Sequence, residues 1–313
     1  MAAIDIPSPE PHMNPRRLAL GPESAIAPQF RCATGESPLW HPADQAFYWV
    51  DIPAATIHRF RPADGAMAQW RLPEVVGCIA RRSGAGELIA ACERSIFAVD
   101  LDDDAGVRLR RLASFDMPLA GMRFNDGRCD RQGRFWVGTH LTGPQRRAVG
   151  EMLRLDGRGL QRTGIDGLAV PNGLAFSPDG RTMYLSDAAA ESRTVWAFDY
   201  DIDEGVPSNR RVFIDMARYG GRPDGAAVDA DGCYWICAID AGCVLRFTPS
   251  GRLDTTLDLP TRTPTMPAFG GAAMSTLLLT SLARKTENDD WAGAVFLSEM
   301  PVRGLTDAFF RDN

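Results

Sequence analysis

The sequence predicts an all-β chain folded as a six-bladed β-propeller. Three observations carry that expectation: one strand–turn–strand outline recurs six times in 313 residues, the recurrences are 42 to 52 residues apart, and helical periodicity is nearly absent. That spacing is the length of a four-stranded antiparallel blade, and radial repetition of such blades leaves only short, protected sheet edges.

Four copies of the outline overlay well. They are Glu36 to Asp44 with Tyr48-Trp-Val-Asp51, Asn125 to Gly133 with Phe135-Trp-Val-Gly138, Asn172 to Gly180 with Met183-Tyr-Leu-Ser186, and Asp224 to Gly232 with Tyr234-Trp-Ile-Cys237. Asp179-Gly180 and Asp231-Gly232 are expected to supply the positive φ that two-residue hairpins demand. Weaker copies run from Cys78 to Ala91 and from Met266 to Leu279. Outer strands follow as Thr56 to Phe60 with Met67 to Arg71, Thr194 to Phe198 with Arg210 to Phe213, and Cys243 to Phe247. The sixth unit runs out of chain after Leu297, so Arg17-Leu-Ala-Leu20 is expected to supply its missing outer strand and latch the ring. A single domain over 1–313 follows, with 1–15 irregular. A β-sandwich of similar strand count does not repeat its turn sequence at this interval.

Composition narrows the function classes. At 45% hydrophobic and 24% charged the chain is an ordinary globular protein, and its net charge of -6 gives no basic footprint for nucleic acid. The seven cysteines are odd in number and mostly sit in apolar runs, which reads as reduced core thiols rather than a disulfide framework. Cys233, Cys237 and Cys243 lack the C-x-x-C spacing or nearby His of a metal clip and read the same way. The opening stretch is broken by Pro7, Pro9, Pro11 and Pro15 and has no secretory h-region, and the longest mostly apolar run, Ala272 to Ala283, is too short to span a bilayer. The expectation is a cytoplasmic protein with no membrane or nucleic-acid partner.

One slot in the repeat carries chemistry. Eight positions before the turn residues Asp44, Gly133, Gly180 and Gly232 stand Glu36, Asn125, Asn172 and Asp224, all with side-chain oxygens. In a propeller the first strand of each blade lines the channel, so these four would ring one mouth. Cys78 and, in an ambiguous register, Met266 or Pro267 fill the other two slots. Crowded carboxylates are costly in a narrow funnel unless a cation sits among them. An oxygen-only set favours Ca²⁺, Mg²⁺ or Mn²⁺, and Zn²⁺ or Fe²⁺ can also occupy it. Asn-Gly and Pro-Asp-Gly are also common turn sequences; Glu36 in Gly-Glu-Ser-Pro has no turn role, and the shared offset decides for a site.

Other chemistries are missing their residues. There is no H-E-x-x-H, G-x-S-x-G, Walker loop or complete G-x-G-x-x-G. The runs at Asp100–Asp104 and Asp199–Asp203 lack the Gly and the final Glu of a calcium loop and read as acidic hairpin loops. Of four scattered histidines only His140, just after a second strand, falls near the mouth.

Gly35-Glu-Ser-Pro-Leu-Trp40 with Val50-Asp-Ile-Pro53, Arg123-Phe-Asn-Asp-Gly127 with Gly133-Arg-Phe-Trp-Val-Gly-Thr139, Pro171-Asn-Gly173 and Pro223-Asp-Gly225 resemble the regucalcin/gluconolactonase family, in order and over about residues 17–302. The resemblance implies a six-bladed propeller that opens sugar lactones to aldonic acids with one divalent metal ion. It implies Glu36, Asn172 and Asp224 as metal ligands and Arg123 and Asn125 as sugar contacts. His140 joins them as a candidate substrate contact, and Asp224 is the candidate general base, because its carboxylate can ligate and still accept a proton. Regucalcin carries acids in the loop after the Gly-Thr pair, where this chain has His140-Leu-Thr-Gly-Pro144, so the sugar stays open. Two rival readings are hydrolysis of phosphotriesters or other esters on the same propeller, and a non-catalytic divalent-cation-binding protein.

Overall fold

The computed structural model describes residues 14–143, 147–284 and 289–311; most of the stretch expected to be irregular at the start, and Pro144 after His140, lie outside the described residues. Six sheets form the molecule, with innermost strands β2 (Gly35–His41), β6 (Cys78–Arg81), β10 (Met122–Cys129), β14 (Pro171–Phe176), β18 (Arg222–Val228) and β22 (Pro264–Gly270). Each innermost strand neighbours the next and β22 neighbours β2, which closes the ring of six blades. The apolar cores lie between blades. Leu39, Tyr48 and Ile57 of the first blade pack on Ile79, Leu88 and Val99 of the second, and corresponding layers fill the other five junctions. Trp49, Trp136 and Trp235, on the second strands of their blades, are fully buried there. The acidic hairpin loops are built as expected, with Asp102 and Asp201 each accepting two backbone N–H bonds from their own turn.

The N-terminal strand corrects the sequence reading. β1 (Arg16–Ala19) pairs in parallel with β21 (Leu253–Asp258) and becomes the fifth strand of the fifth blade, while the sixth blade has three strands among the described residues. Leu18 and Leu20 turn toward the core between blades five and six, and Arg17 Nε donates to Asp258 Oδ2 at 2.6 Å. A 3-10 turn at Pro22–Ser24 then ends the strand before it reaches the sixth blade. Closure is left to the segment after it: Ala25 bridges Phe296, Ile26 N–H donates to Val295 O, and Cys32 N–H donates to Gly293 O.

The far end of the channel holds a feature with no counterpart in the repeat. Residues 303–311 cross the turn end of the ring, bridging Asp229 at Gly304 and returning backbone bonds to Arg81 and Gly133. Asp307 pairs with Arg128 and its carbonyl accepts from Arg81 Nε at 2.8 Å. The hollow left in the channel beside Asp307 is about 10 Å³, room for one water at most. At the other mouth Glu36, Arg123 and Asn125 keep partial exposure. No helix among the described residues is long and apolar enough to cross a membrane.

Candidate active site

At the open mouth each innermost strand but one is distorted in the same place. Three residues oppose two of the next strand after Glu36, Phe124, Asn172, Pro223 and Pro264, a one-residue bulge in five of the six blades. β6 runs without one. Bulges bend a strand and re-aim its side chains, and here they fall at or beside Glu36, Asn125, Asn172 and Asp224. Left-handed backbone follows two of these residues, at Ser37 (φ 51°) and Gly173 (φ 62°). Ser37 pays for a conformation that disfavours side chains by clamping its hydroxyl to the backbone of Ile79 in the next blade, at 2.9 and 3.1 Å. At Gly173 a Cβ would sit 2.6 Å from Tyr234 Oη and 2.8 Å from Ser186 Oγ, so glycine is required by both torsion and space.

The side chains form one hydrogen-bonded line across the mouth. Arg123 Nη1 donates to Asn125 Oδ1 at 3.1 Å, Asn125 Nδ2 to Asn172 Oδ1 at 3.1 Å, and Asn172 Nδ2 to Asp224 Oδ1 at 2.9 Å. Glu36 completes the group electrostatically. Its carboxyl is pushed well above the usual range, first by burial, then by the negative charges of Asp224 and Asp126, against weaker help from Ser37 N–H and Arg123. Asp224 and Asn172 are buried; Glu36 keeps partial access to the mouth. His140 is buried on β11 (Phe135–Leu141), directly opposite Arg123 in the β10–β11 ladder. Thus Arg123, Asn125, Asn172 and Asp224 touch in sequence, Glu36 lies near enough to feel the charge of Asp224, and His140 flanks Arg123.

This donor set fits a hard divalent cation. Two carboxylates, Asp224 holding the pKa of Glu36 up, and an amide able to offer oxygen form an anionic, oxygen-only socket. Asn172 at present turns its nitrogen toward Asp224, so ligation through its oxygen requires the amide to turn over.

Residues 34–283 match the family described as SMP-30/Gluconolactonase/LRE-like region. The chain belongs to this family. Its sequence is 39% identical to a 6-deoxy-6-sulfogluconolactonase of Pseudomonas putida, covering 88% of this chain and 94% of that protein. It is 32% identical to a pentonolactonase of Haloferax volcanii over 87% and 93% of the two chains. Among solved structures, a calcium-binding regucalcin of Agrobacterium tumefaciens superposes with a TM-score of 0.85 at 26% identity, covering 95% of this chain and 99% of that one.

Two site neighbours of this gluconolactonase-family chain escape sequence reasoning. Asp126, one residue past Asn125, is buried, accepts Leu174 N–H at 3.0 Å, and adds its charge to the field on Glu36. In the sequence it reads as part of an Asn-Asp-Gly turn, and only the bulge after Phe124 gives it an inward role. Ser37 likewise reads as filler, since neither its torsion nor its clamp on Ile79 leaves a pattern in composition.

Proposed function

We propose that this chain is a metal-dependent sugar lactonase, opening an aldonolactone to the aldonic acid, with Glu36, Asn172 and Asp224 holding one divalent ion. The observation that carries the reading is the line Arg123–Asn125–Asn172–Asp224, with Glu36 near enough to feel the charge of Asp224, at the only end of the channel not crossed by the chain's own tail among the described residues. The names of the relatives, lactonases of a sulfonated hexose and of pentoses, support the substrate class.

A bound Ca²⁺, Mg²⁺, Mn²⁺, Zn²⁺ or Fe²⁺ would supply Lewis-acid polarisation of the ester carbonyl and a lowered pKa for a nearby water. The chain does the rest. Asp224 accepts the proton of the attacking water as its oxygen bonds to the carbonyl carbon. When the ring C–O bond breaks, that proton goes to the departing ring oxygen, leaving a hydroxyl and a carboxylic acid. Arg123 presents a planar fork of donors to sugar hydroxyls or the developing carboxylate, and Asn125 holds it in place. His140 is assigned to the substrate side of Arg123. A mouth built of guanidinium and amides suits a polyol better than an aryl phosphotriester.

Seven buried, unpaired cysteines support placing the protein in the cytoplasm. The deciding experiment measures proton release from glucono-, galactono-, xylono-, arabinono- and 6-deoxy-6-sulfogluconolactone, with a phosphotriester as control, before and after chelation. Loss of lactone hydrolysis on chelation, restored by one equivalent of metal, is expected. Activity that persists without metal overturns the reading.

A further inference from the structure

Away from the mouth, at the seam where the ring closes, three residues of metal-ligating type meet. Cys32 lies in the closing segment, Asp51 ends β3 (Ala46–Asp51) and His58 lies on β4 (Thr56–Arg61). A ligand atom from each lies within 4.8 Å of the other two, and all three residues are buried. His58 is fixed between Trp49, stacked at 5.3 Å, and the edge of Phe30 at 5.1 Å. Cys32 Sγ accepts Trp49 Nε1–H at 3.4 Å. A surface hollow of about 500 Å³ reaches Asp51 and His58, giving an ion a path in and room for an exogenous fourth ligand.

The repeat separates structural need from surplus. Asp51 accepts the N–H groups of Ala33 and Thr34, and Asp187 does the same for Ala169 and Val170 at identical sequence offsets in the fourth blade. That turn device works there with Leu168 and Trp196 standing where the first blade has Cys32 and His58. The thiol and imidazole are therefore not required to hold the turn. A carboxylate has about four lone-pair sites, so Asp51 can keep both backbone bonds and still ligate.

We propose that Cys32, Asp51 and His58 form a second metal site, selective for zinc-like ions over calcium or magnesium, that staples the N-terminal closing segment to the first blade. A sulfur, an imidazole and a carboxylate are a borderline-soft set. The imidazole ligates in its neutral form and the thiol only as thiolate, so each ion bound releases the Cys32 proton. The staple sits at the ring closure: Cys32 N–H also bonds Gly293 O, and the adjoining sixth blade has three strands among the described residues.

The test is a Co²⁺ titration of the metal-stripped, full-length protein, followed by absorbance. A near-ultraviolet thiolate-to-cobalt charge-transfer band should saturate at one ion per chain; an oxygen-only site at the mouth cannot produce it. Cys32→Ser should abolish the band, and His58→Gln should weaken Co²⁺ binding at this site at least ~10-fold. Zn²⁺ at about 100 times its dissociation constant should raise the melting temperature of the wild type by a few degrees more than that of Cys32→Ser. Absence of the band in folded wild type, or a band unchanged in either variant, overturns the site. Equal zinc shifts in wild type and Cys32→Ser overturn the staple.

Discussion

Replacing Asp224 by Asn separates charge from shape at the mouth. The amide oxygen can still accept the Asn172 Nδ2 bond, 2.9 Å long in the wild type, so the line of side chains survives. A negative charge and a proton acceptor are lost. Removing a general base costs about 10²–10⁴-fold in kcat, equivalent to about 3–5 kcal/mol of transition-state stabilisation. Stability should move the opposite way in metal-stripped protein, because Asp224 is the strongest charge acting against ionised Glu36. Two like charges about 4–6 Å apart cost about 3–4 kcal/mol at an effective dielectric of 20; water reaches Glu36, so about 1–2 kcal/mol is expected. The sign follows from Glu36, whose folded pKa lies above its ordinary 4.5. Its neutral form leaves stability intact below that value, and stability falls as pH rises through the folded value. Stripped Asp224→Asn should therefore outlast stripped wild type in urea at pH 7 and lose that advantage near pH 4. With metal present the wild type should be the more stable. Lactonase rates and urea midpoints, with and without chelator, read all of this; a kcat within threefold of wild type, or a stripped variant less stable than wild type at pH 7, refutes the reasoning.

Three further outcomes follow from particular contacts. Gly173→Ala meets both a left-handed torsion and Tyr234 Oη at 2.6 Å, so about 2–3 kcal/mol of stability and at least tenfold in kcat should go, whereas Gly232→Ala, at φ 78° with no contact under 3.4 Å, should lose about 1 kcal/mol and keep its activity. Arg246→Met removes the partner of fully buried Asp229, whose Oδ2 lies 2.7 Å from Arg246 Nε; Trp235 and two backbone N–H groups still serve that carboxylate, so denaturant unfolding should report about 3 kcal/mol, the low end for a broken buried pair. His41 is held below its ordinary 6.5 mainly by burial, against the pull of Asp44, so the unfolded chain binds the extra proton first and stability should decline as pH falls through 6.5; His41→Gln should flatten that part of the urea-midpoint profile, and an unchanged slope counts against it.

The ring was legible because its repeat is written in turn chemistry. Gly180 and Gly232 take the positive φ their turns call for, though five residues rather than two join the strands there, and the fully buried Trp49, Trp136 and Trp235 mark three of the six second strands. The seam was not legible, because Arg17 to Leu20 carries only a strand pattern. Alternation says that Leu18 and Leu20 face a core; it does not say whether the edge offered is β21 or β24 (Phe296–Glu299). The docking shows only in three dimensions, where Leu18 and Leu20 join the core between blades five and six and the turn at Pro22 ends the strand. The tail at 303–311 was invisible for a related reason, since it is held by backbone bonds to Arg81, Gly133 and Ala230 and by the side chains of Arg81, Arg128 and Arg131, distant partners that leave no pattern in the tail itself.

Equal spacing puts six residues around the mouth, yet the ring does not use them equally. β6 lacks the bulge, and Cys78 points into the core between the second and third blades. β22 has the bulge, and its register puts Thr265, not the expected Met266 or Pro267, at the position of Asp224; the Thr265 hydroxyl donates to Gly35 O at 2.5 Å, fixing the backbone next to Glu36. The four remaining slots divide by chemistry, with carboxylates at Glu36 and Asp224 and amides at Asn125 and Asn172. Two anionic donors are enough to attract a dication, and a third carboxylate would add repulsion to a mouth where Glu36 is already strained by Asp224 and Asp126. On this logic Asn125→Asp should tighten metal binding while pulling Arg123 toward the new charge and away from substrate, raising KM more than it lowers kcat. Isothermal titration with the metal alone and steady-state kinetics on the best lactone separate the two effects, and weaker metal binding in Asn125→Asp would show that charge at this slot does not feed the socket.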